Sequence, residues 1–271
     1  MRSAFSLVEL SIVLVILGLL AGGILGGQSL MHAAELRATT TQLSHYHSAV
    51  MTFRDKYFAI PGDMTNATQF WGDNDSFCAD AAIADGTPGT CNGNGSGYIE
   101  APNAGAPYNQ GQNGSAEKYQ FWVQLAYAGL IEGSYTGIDS GCGSFGWCAV
   151  AGENSPASKY GNNTVIDMNG YFGSYAAAYS YYFPELNGVN RFTIRRNNNV
   201  GGGDSGVMPP EDAWNMDTKL DDGKPARGKF RVGSHSQIAG DCTLAASDTD
   251  YDAGYALEVT ELTCAPTYIV Q

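Results

Sequence analysis

FSLVELSIVLVILGLLAGGILGG, residues 5 to 27, holds a single charge, Glu9, in twenty-three positions. At 1.5 Å of rise per residue, about 20 apolar residues cross a bilayer core, so the stretch is long enough to span one. A secretory signal peptide has a shorter apolar run of ~7–15 residues, with its small-residue cleavage site behind it. Here the small residue, Ala4, stands in front of the run. Arg2 and the amino terminus lie on the short side, which places Met1 in the cytoplasm and everything after the span outside. The expected topology is one span with the body exported.

The helical pattern outlasts the span. Leu36, Leu43, Val50 and Tyr57 recur every seven residues, Tyr46 and Phe53 fill a second seam position, and Arg37, Thr41, Gln42, Ser44, Ser48 and Arg54 lie between them. That spacing predicts a helix with one buried stripe. With no proline before Pro61, residues 5–58 read as one helix about 80 Å long. Its first half (5–30) is apolar all round, and its second half (31–58) offers one face to a globular head formed by residues 59–271.

Ala4-Phe5-Ser6-Leu7-Val8-Glu9-Leu10, running directly into the apolar stretch, resembles the prepilin signature of type IV pilins and type II secretion pseudopilins. The resemblance covers residues 4–58. Tyr57–Met64 and Trp214–Gly223 also look like pieces of larger prepilin-like heads. It implies that residues 1–4 are a leader, that a prepilin peptidase cuts between Ala4 and Phe5, and that Phe5 is then N-methylated. The family usually has Gly before the cut, and Ala4 departs from that. A carboxylate within a span costs several kcal/mol unless paired. Phe5 and Glu9 are therefore the expected assembly residues: the new amino terminus of one subunit meets Glu9 of a neighbour in a charge-assisted contact. The alternative for Glu9 is snorkelling toward the headgroups. Gly18, Gly22, Gly23, Gly26 and Gly27 each weaken a helix by roughly 1 kcal/mol relative to Ala. They suit close small-face packing, and the resemblance implies local unwinding on entry into a filament.

Composition narrows the rest. The chain has 14 Lys and Arg against 27 Asp and Glu, a net charge of −13. That excludes a dedicated nucleic-acid binder, which needs clustered cations, and an anionic-membrane surface binder. Gly reaches 35 of 271 residues while charged residues make up 15%, a loop-rich, neutral-polar body suited to an exported protein. The six cysteines, Cys78, Cys91, Cys142, Cys148, Cys242 and Cys264, all lie in that body. An even count outside the cytoplasm points to disulfides. Sequential pairing (78–91, 142–148, 242–264) is the expectation drawn from their clustering, among 15 pairings that sequence alone leaves open. Zinc is disfavoured, because no pair has C-x₂₋₄-C spacing.

The fold class expected is α+β: the long helix packed on an antiparallel-sheet head with long disulfide-closed loops. A helix is predicted over 116–131, capped by Ser115, with Trp122, Leu125, Ala126 and Gly129 on one face. Strands are predicted at 163–168, 190–196, 228–233 and 254–260. A short helix opens at Pro209-Pro210-Glu211-Asp212 and ends near Leu220. Residues 59–115 read as a long structured loop.

Candidate chemistry is sparse. Asn92, Asn94, Ser96, Tyr98 and Glu100 have the oxygen spacing of an EF-hand-type loop, with Gly97 at the turn. Its first ligands are neutral, and Asn103 stands where a bidentate Glu belongs, so any calcium binding would be weak. A disulfide-closed turn is the competing reading. Asp217, Asp221 and Asp222 form a second oxygen cluster, and the resemblance to pseudopilins implies calcium late in the chain. No cofactor is required. Gly203-Asp204-Ser205-Gly206 looks like a serine-protease nucleophile loop, but a triad needs a base beside the serine. His32, His45 and His47 lie on the first helix, and His235 stands alone in the head, so the chain is not read as an enzyme. The aromatic run Tyr171–Phe183 suits either an adhesive surface or a small core.

The resemblance implies a structural subunit of a type IV pilin-like filament. Its partners would be copies of itself or other pilins, the prepilin peptidase and the inner-membrane assembly machinery. A type II secretion pseudopilin is the first alternative. A membrane-tethered adhesive or binding module that never polymerises is the second.

Overall fold

A computed structural model describes residues 7–72, 89–99, 117–137, 148–170, 188–197, 206–233, 242–245 and 250–270. Helix α1, Leu7–Tyr57, is unbroken for 51 residues. Its second half carries the anticipated stripe: Leu36, Leu43, Tyr46, Ala49, Val50 and Phe53 are buried, and Tyr57 packs partly buried at its end. Thr39, Thr41, Ser44, Ser48 and Thr52 donate their hydroxyls to carbonyls four residues back. These polar side chains are thereby satisfied within the helix.

Beyond α1 come the one-turn helix α2 (Thr68–Trp71) and helix α3 (Glu117–Tyr127), then strands β1 (Thr164–Asn169) and β2 (Arg191–Arg196). Helix α4 (Pro210–Leu220), β3 (Phe230–Gly233) and β4 (Ala265–Ile269) follow. The strands form one antiparallel sheet in the order β1-β2-β4-β3. Ile166, Met168, Phe192, Ile194, Phe230, Val232 and Tyr268 share its apolar face and join the core with the α1 stripe. The joint is aromatic. Trp122 of α3 stacks on Phe192 at 5.6 Å, and Tyr46 of α1 meets Trp122 edge-on at 5.2 Å. The α+β class, with a long N-terminal helix and an antiparallel sheet, is as expected.

Two boundaries differ from the sequence reading. Helix α3 stops at Tyr127 rather than 131, because Gly129 turns left-handed (φ 70°). Gly129 N–H then bonds Ala126 C=O and Leu130 N–H bonds Leu125 C=O, the paired bonds of a Schellman end. The Ser115 cap lies outside the described residues.

The fourth strand is 265–269, not 254–260. Within the latter, Val259 N–H turns back onto Ala256 C=O, and only Tyr255 bridges, to Thr243. Pro266 disguised the true strand, since proline removes a ladder donor. It is tolerated because the ladder to β2 ends at Thr267, so the missing donor faces no partner strand there. On the other side, Val232 opposite it donates to Pro225 instead.

The opposite face of β1 and β2 is polar yet buried, with Asp167, Asn169, Arg191, Thr193 and Arg195 all inside. Asp167 Oδ2 lies 2.7 Å from Lys118 Nζ of α3 and 2.8 Å from Arg195 Nη1. The Cys242–Cys264 disulfide ties the segment ahead of β4 to the loop at 242.

Candidate functional site

The first half of α1 is a bare apolar rod. Leu7, Leu10, Leu14, Leu17, Leu20, Ile24, Leu30 and Met31 are all exposed, and no part of the most apolar 18-residue window is buried inside the head. By length and composition it can cross a membrane. Ser11 and Ser29 donate to Val8 and Gly26 carbonyls one turn back, so neither hydroxyl needs water. Gly18, Gly22, Gly23, Gly26 and Gly27 are helical, with open space where a Cβ would stand. Glu9 sits in the first turn, where a carboxylate favours the helix dipole. Ala4 and Phe5 lie outside the described residues.

The rod meets the head at His32. Its Nε2 lies 2.7 Å from Asp212 Oδ1, and Tyr160 O–H donates to Asp212 Oδ2 at 2.7 Å. The adjacent Glu35 accepts from Gly161 N–H. Burial, with Asp212 beside it, drives the Tyr160 hydroxyl well above its usual range. Sequence reasoning placed His32 on the first helix and gave it no partner. The signal it overlooked was Asp212 in the first turn of a helix the reading had already placed. His47 rests edge-on against Tyr268, and burial lowers its pKa. Neither it nor His45 faces a catalytic partner among the described residues, and Ser205 and His235 lie outside them.

The loop at 92–99 is organised around a carboxylate. Asp63 accepts from Ser96 N–H (3.0 Å) and Gly97 N–H (2.8 Å), and Asn94 N–H donates to Glu117 Oε1. Asn92 Oδ1 takes Thr68 N–H at the start of α2, and Asn94 Oδ1 takes Ser96 N–H. Gly93 presses so closely on Asp63 that a Cβ would lie 2.4 Å from its backbone. Inward amides suit an anion, and Asp63 already supplies it. Glu100 and Asn103 lie outside the described residues.

Asp217, Asp221 and Asp222 do converge, with oxygens within 4.8 Å of one another. Asp217 is buried and accepts from Tyr255 O–H (2.8 Å) and Gly223 N–H (3.2 Å). Burial pushes its carboxyl up to about 7, with the neighbouring Asp222 and Asp221 charges adding to the rise. Asp221 accepts from Lys229 and Phe230 amides, and Asp222 from Lys224 N–H. One buried and two exposed carboxylates form a hard-oxygen set of the kind calcium takes.

Cys91 and Cys148 are disulfide-bonded, as are Cys242 and Cys264 with each other, and no described cysteine is free. Cys78 and Cys142 lie outside the described residues, as does the Tyr171–Phe183 run. Comparisons with protein-family models, curated proteins and solved structures return no match.

Proposed function

We propose that the chain is a structural subunit of a type IV pilin-like filament. The observation that supports this most is the unbroken helix α1, whose second half is seated in the head while its first half projects bare. A rod with that much exposed apolar surface needs lipid before assembly and other rods after it. Glu9 sets the register by meeting the freed Phe5 amino group of a neighbouring subunit. The leader 1–4 is removed by prepilin peptidase between Ala4 and Phe5, and the membrane assembly machinery inserts the subunit. The head, outside the cytoplasm, gives the filament its surface, and it turns over no external substrate.

A type II secretion pseudopilin is the second reading. The Asp217, Asp221 and Asp222 cluster favours it as a calcium set late in the chain. Mass spectrometry of surface filaments sheared from native cells tests both. A dominant band starting at N-methylated Phe5 supports the pilus reading, and cleaved protein confined to the envelope supports the pseudopilin. A mature chain that keeps Met1 or Arg2 overturns both.

A further inference from the structure

Helix α3 and strand β1 bring together three buried side chains whose chemistry is complementary. Lys118 Nζ, on a side chain 2% exposed, lies 2.7 Å from Asp167 Oδ2 and donates to Asn169 Oδ1 at 3.3 Å. Asp167 and Asn169 are two apart on β1, so both face the same side of the sheet. We propose that Lys118 and Asn169 join in an intramolecular isopeptide bond, with Asp167 as the catalytic proton carrier.

The chemistry is self-contained. Asp167 takes a proton from the Lys118 ammonium, leaving a neutral amine against the Asn169 amide. The Nζ lone pair attacks Cγ to form the Nζ–Cγ bond. The Cγ–Nδ2 bond then breaks, with its electron pair going to nitrogen. Two protons shed by Nζ, one carried by Asp167, end on the departing nitrogen, which leaves as ammonium. Asp167 returns to its carboxylate form, and no oxidant, reductant or further substrate is consumed.

Each neighbour supports this course. Asn169 Nδ2 donates to Thr193 Oγ1 at 3.2 Å, which holds the leaving nitrogen apart from the amine and the carbonyl toward it. Arg195 anchors Asp167 through Oδ2, the oxygen that also faces Lys118 Nζ, while the buried Oδ1 has no hydrogen-bond partner among the described residues. Gly170, next to Asn169, is pressed so closely against Ile99 C=O and Asn190 that a Cβ would lie 2.4 and 2.5 Å away, which fixes this end of the strand. The Lys118 and Asp167 side chains are 2% and 0% exposed, so bulk water does not compete with the amine for the Asn169 carbonyl. The product amide also removes a buried charge. A plain ion pair accounts for Lys118 beside Asp167, but it does not require an amide carbonyl within reach of the same nitrogen.

Peptide mapping of the full chain, purified from native membranes or filaments and reduced, decides the matter. The expected result is a branched peptide joining Lys118 to Asn169, lighter by one ammonia than its two parts, with trypsin no longer cutting after Lys118. Lys118→Arg and Asp167→Asn should each abolish the branch. Recovery of Lys118 and Asn169 on separate, unmodified peptides overturns the proposal without any variant having to fold. Ammonia loss that persists in Lys118→Arg, or that maps to a succinimide at Asn169-Gly170, also overturns it.

Discussion

The two halves of α1 share one backbone and obey different rules. From Leu7 to Met31 the described large apolar side chains stand exposed on every side, Leu14 at 61% and Met31 at 75%. From Leu36 to Phe53 the apolar residues Leu36, Leu43, Tyr46, Ala49, Val50 and Phe53 form one stripe that vanishes into the head. The same helical geometry therefore serves two surroundings, and the distribution of apolar residues around the axis tells them apart. His32, bonded to Asp212, marks the changeover.

The largest expected contrast sets Phe53 against Leu14. Phe53 is fully buried beside Tyr57 and Trp71, so Phe53→Ala should destabilise the head by about 3–5 kcal/mol. Leu14→Ala should leave the head's denaturation midpoint in detergent unchanged. Equal losses would mean the halves are not independent. Next comes the disulfide: replacing Cys242 and Cys264 with Ser should cost about 3 kcal/mol in the same assay, again with no change in the helicity of the rod.

The pH response should also belong to the head alone. Asp217 keeps its proton up to about 7 in the folded chain, whereas the unfolded chain releases it in the ordinary carboxylate range. The folded state thus binds more protons between those values, and this group makes stability fall as pH rises through that window and level off above it. Asp217→Asn should flatten the slope in urea titrations run with a chelator. A slope unchanged in the variant would remove Asp217 as its source.

A smaller effect belongs to the changeover. His32→Ala should cost about 1 kcal/mol, the net worth of a half-exposed hydrogen bond, and should speed amide exchange around residues 28–36 without touching the sheet. The smallest concerns the glycines. Gly18→Ala and Gly22→Ala meet no neighbour, so each should stiffen the rod by up to about 1 kcal/mol of helix propensity. That is readable as helicity in detergent, and the head's midpoint should stay the same.

What was legible in the sequence follows from the range of the forces involved. The seven-residue recurrence of Leu36, Leu43 and Val50 is a local pattern, and the residues are buried as it implies. Three strands were readable from alternation and turn signals within a few positions. β4 was hidden because Pro266 argues against a strand until the length of the β2 ladder is known, which is a tertiary fact. The Lys118, Asp167 and Asn169 cluster was hidden for a related reason. Its members belong to separate elements, and a lone lysine in an apolar helix carries no mark of its partner. Asp167 and Asn169 did leave a faint trace as polar residues alternating with Ile166 and Met168 in a strand buried on both faces.

The continuity of α1 gives the molecule a long mechanical arm. Fifty-one residues at 1.5 Å each make it about 76 Å from end to end. A tilt of about 10° near Leu7 therefore carries Tyr57 sideways by about 13 Å. Its five glycines all fall in the half away from the head, so a small bend there sweeps the whole head through a wide arc while leaving its interior untouched.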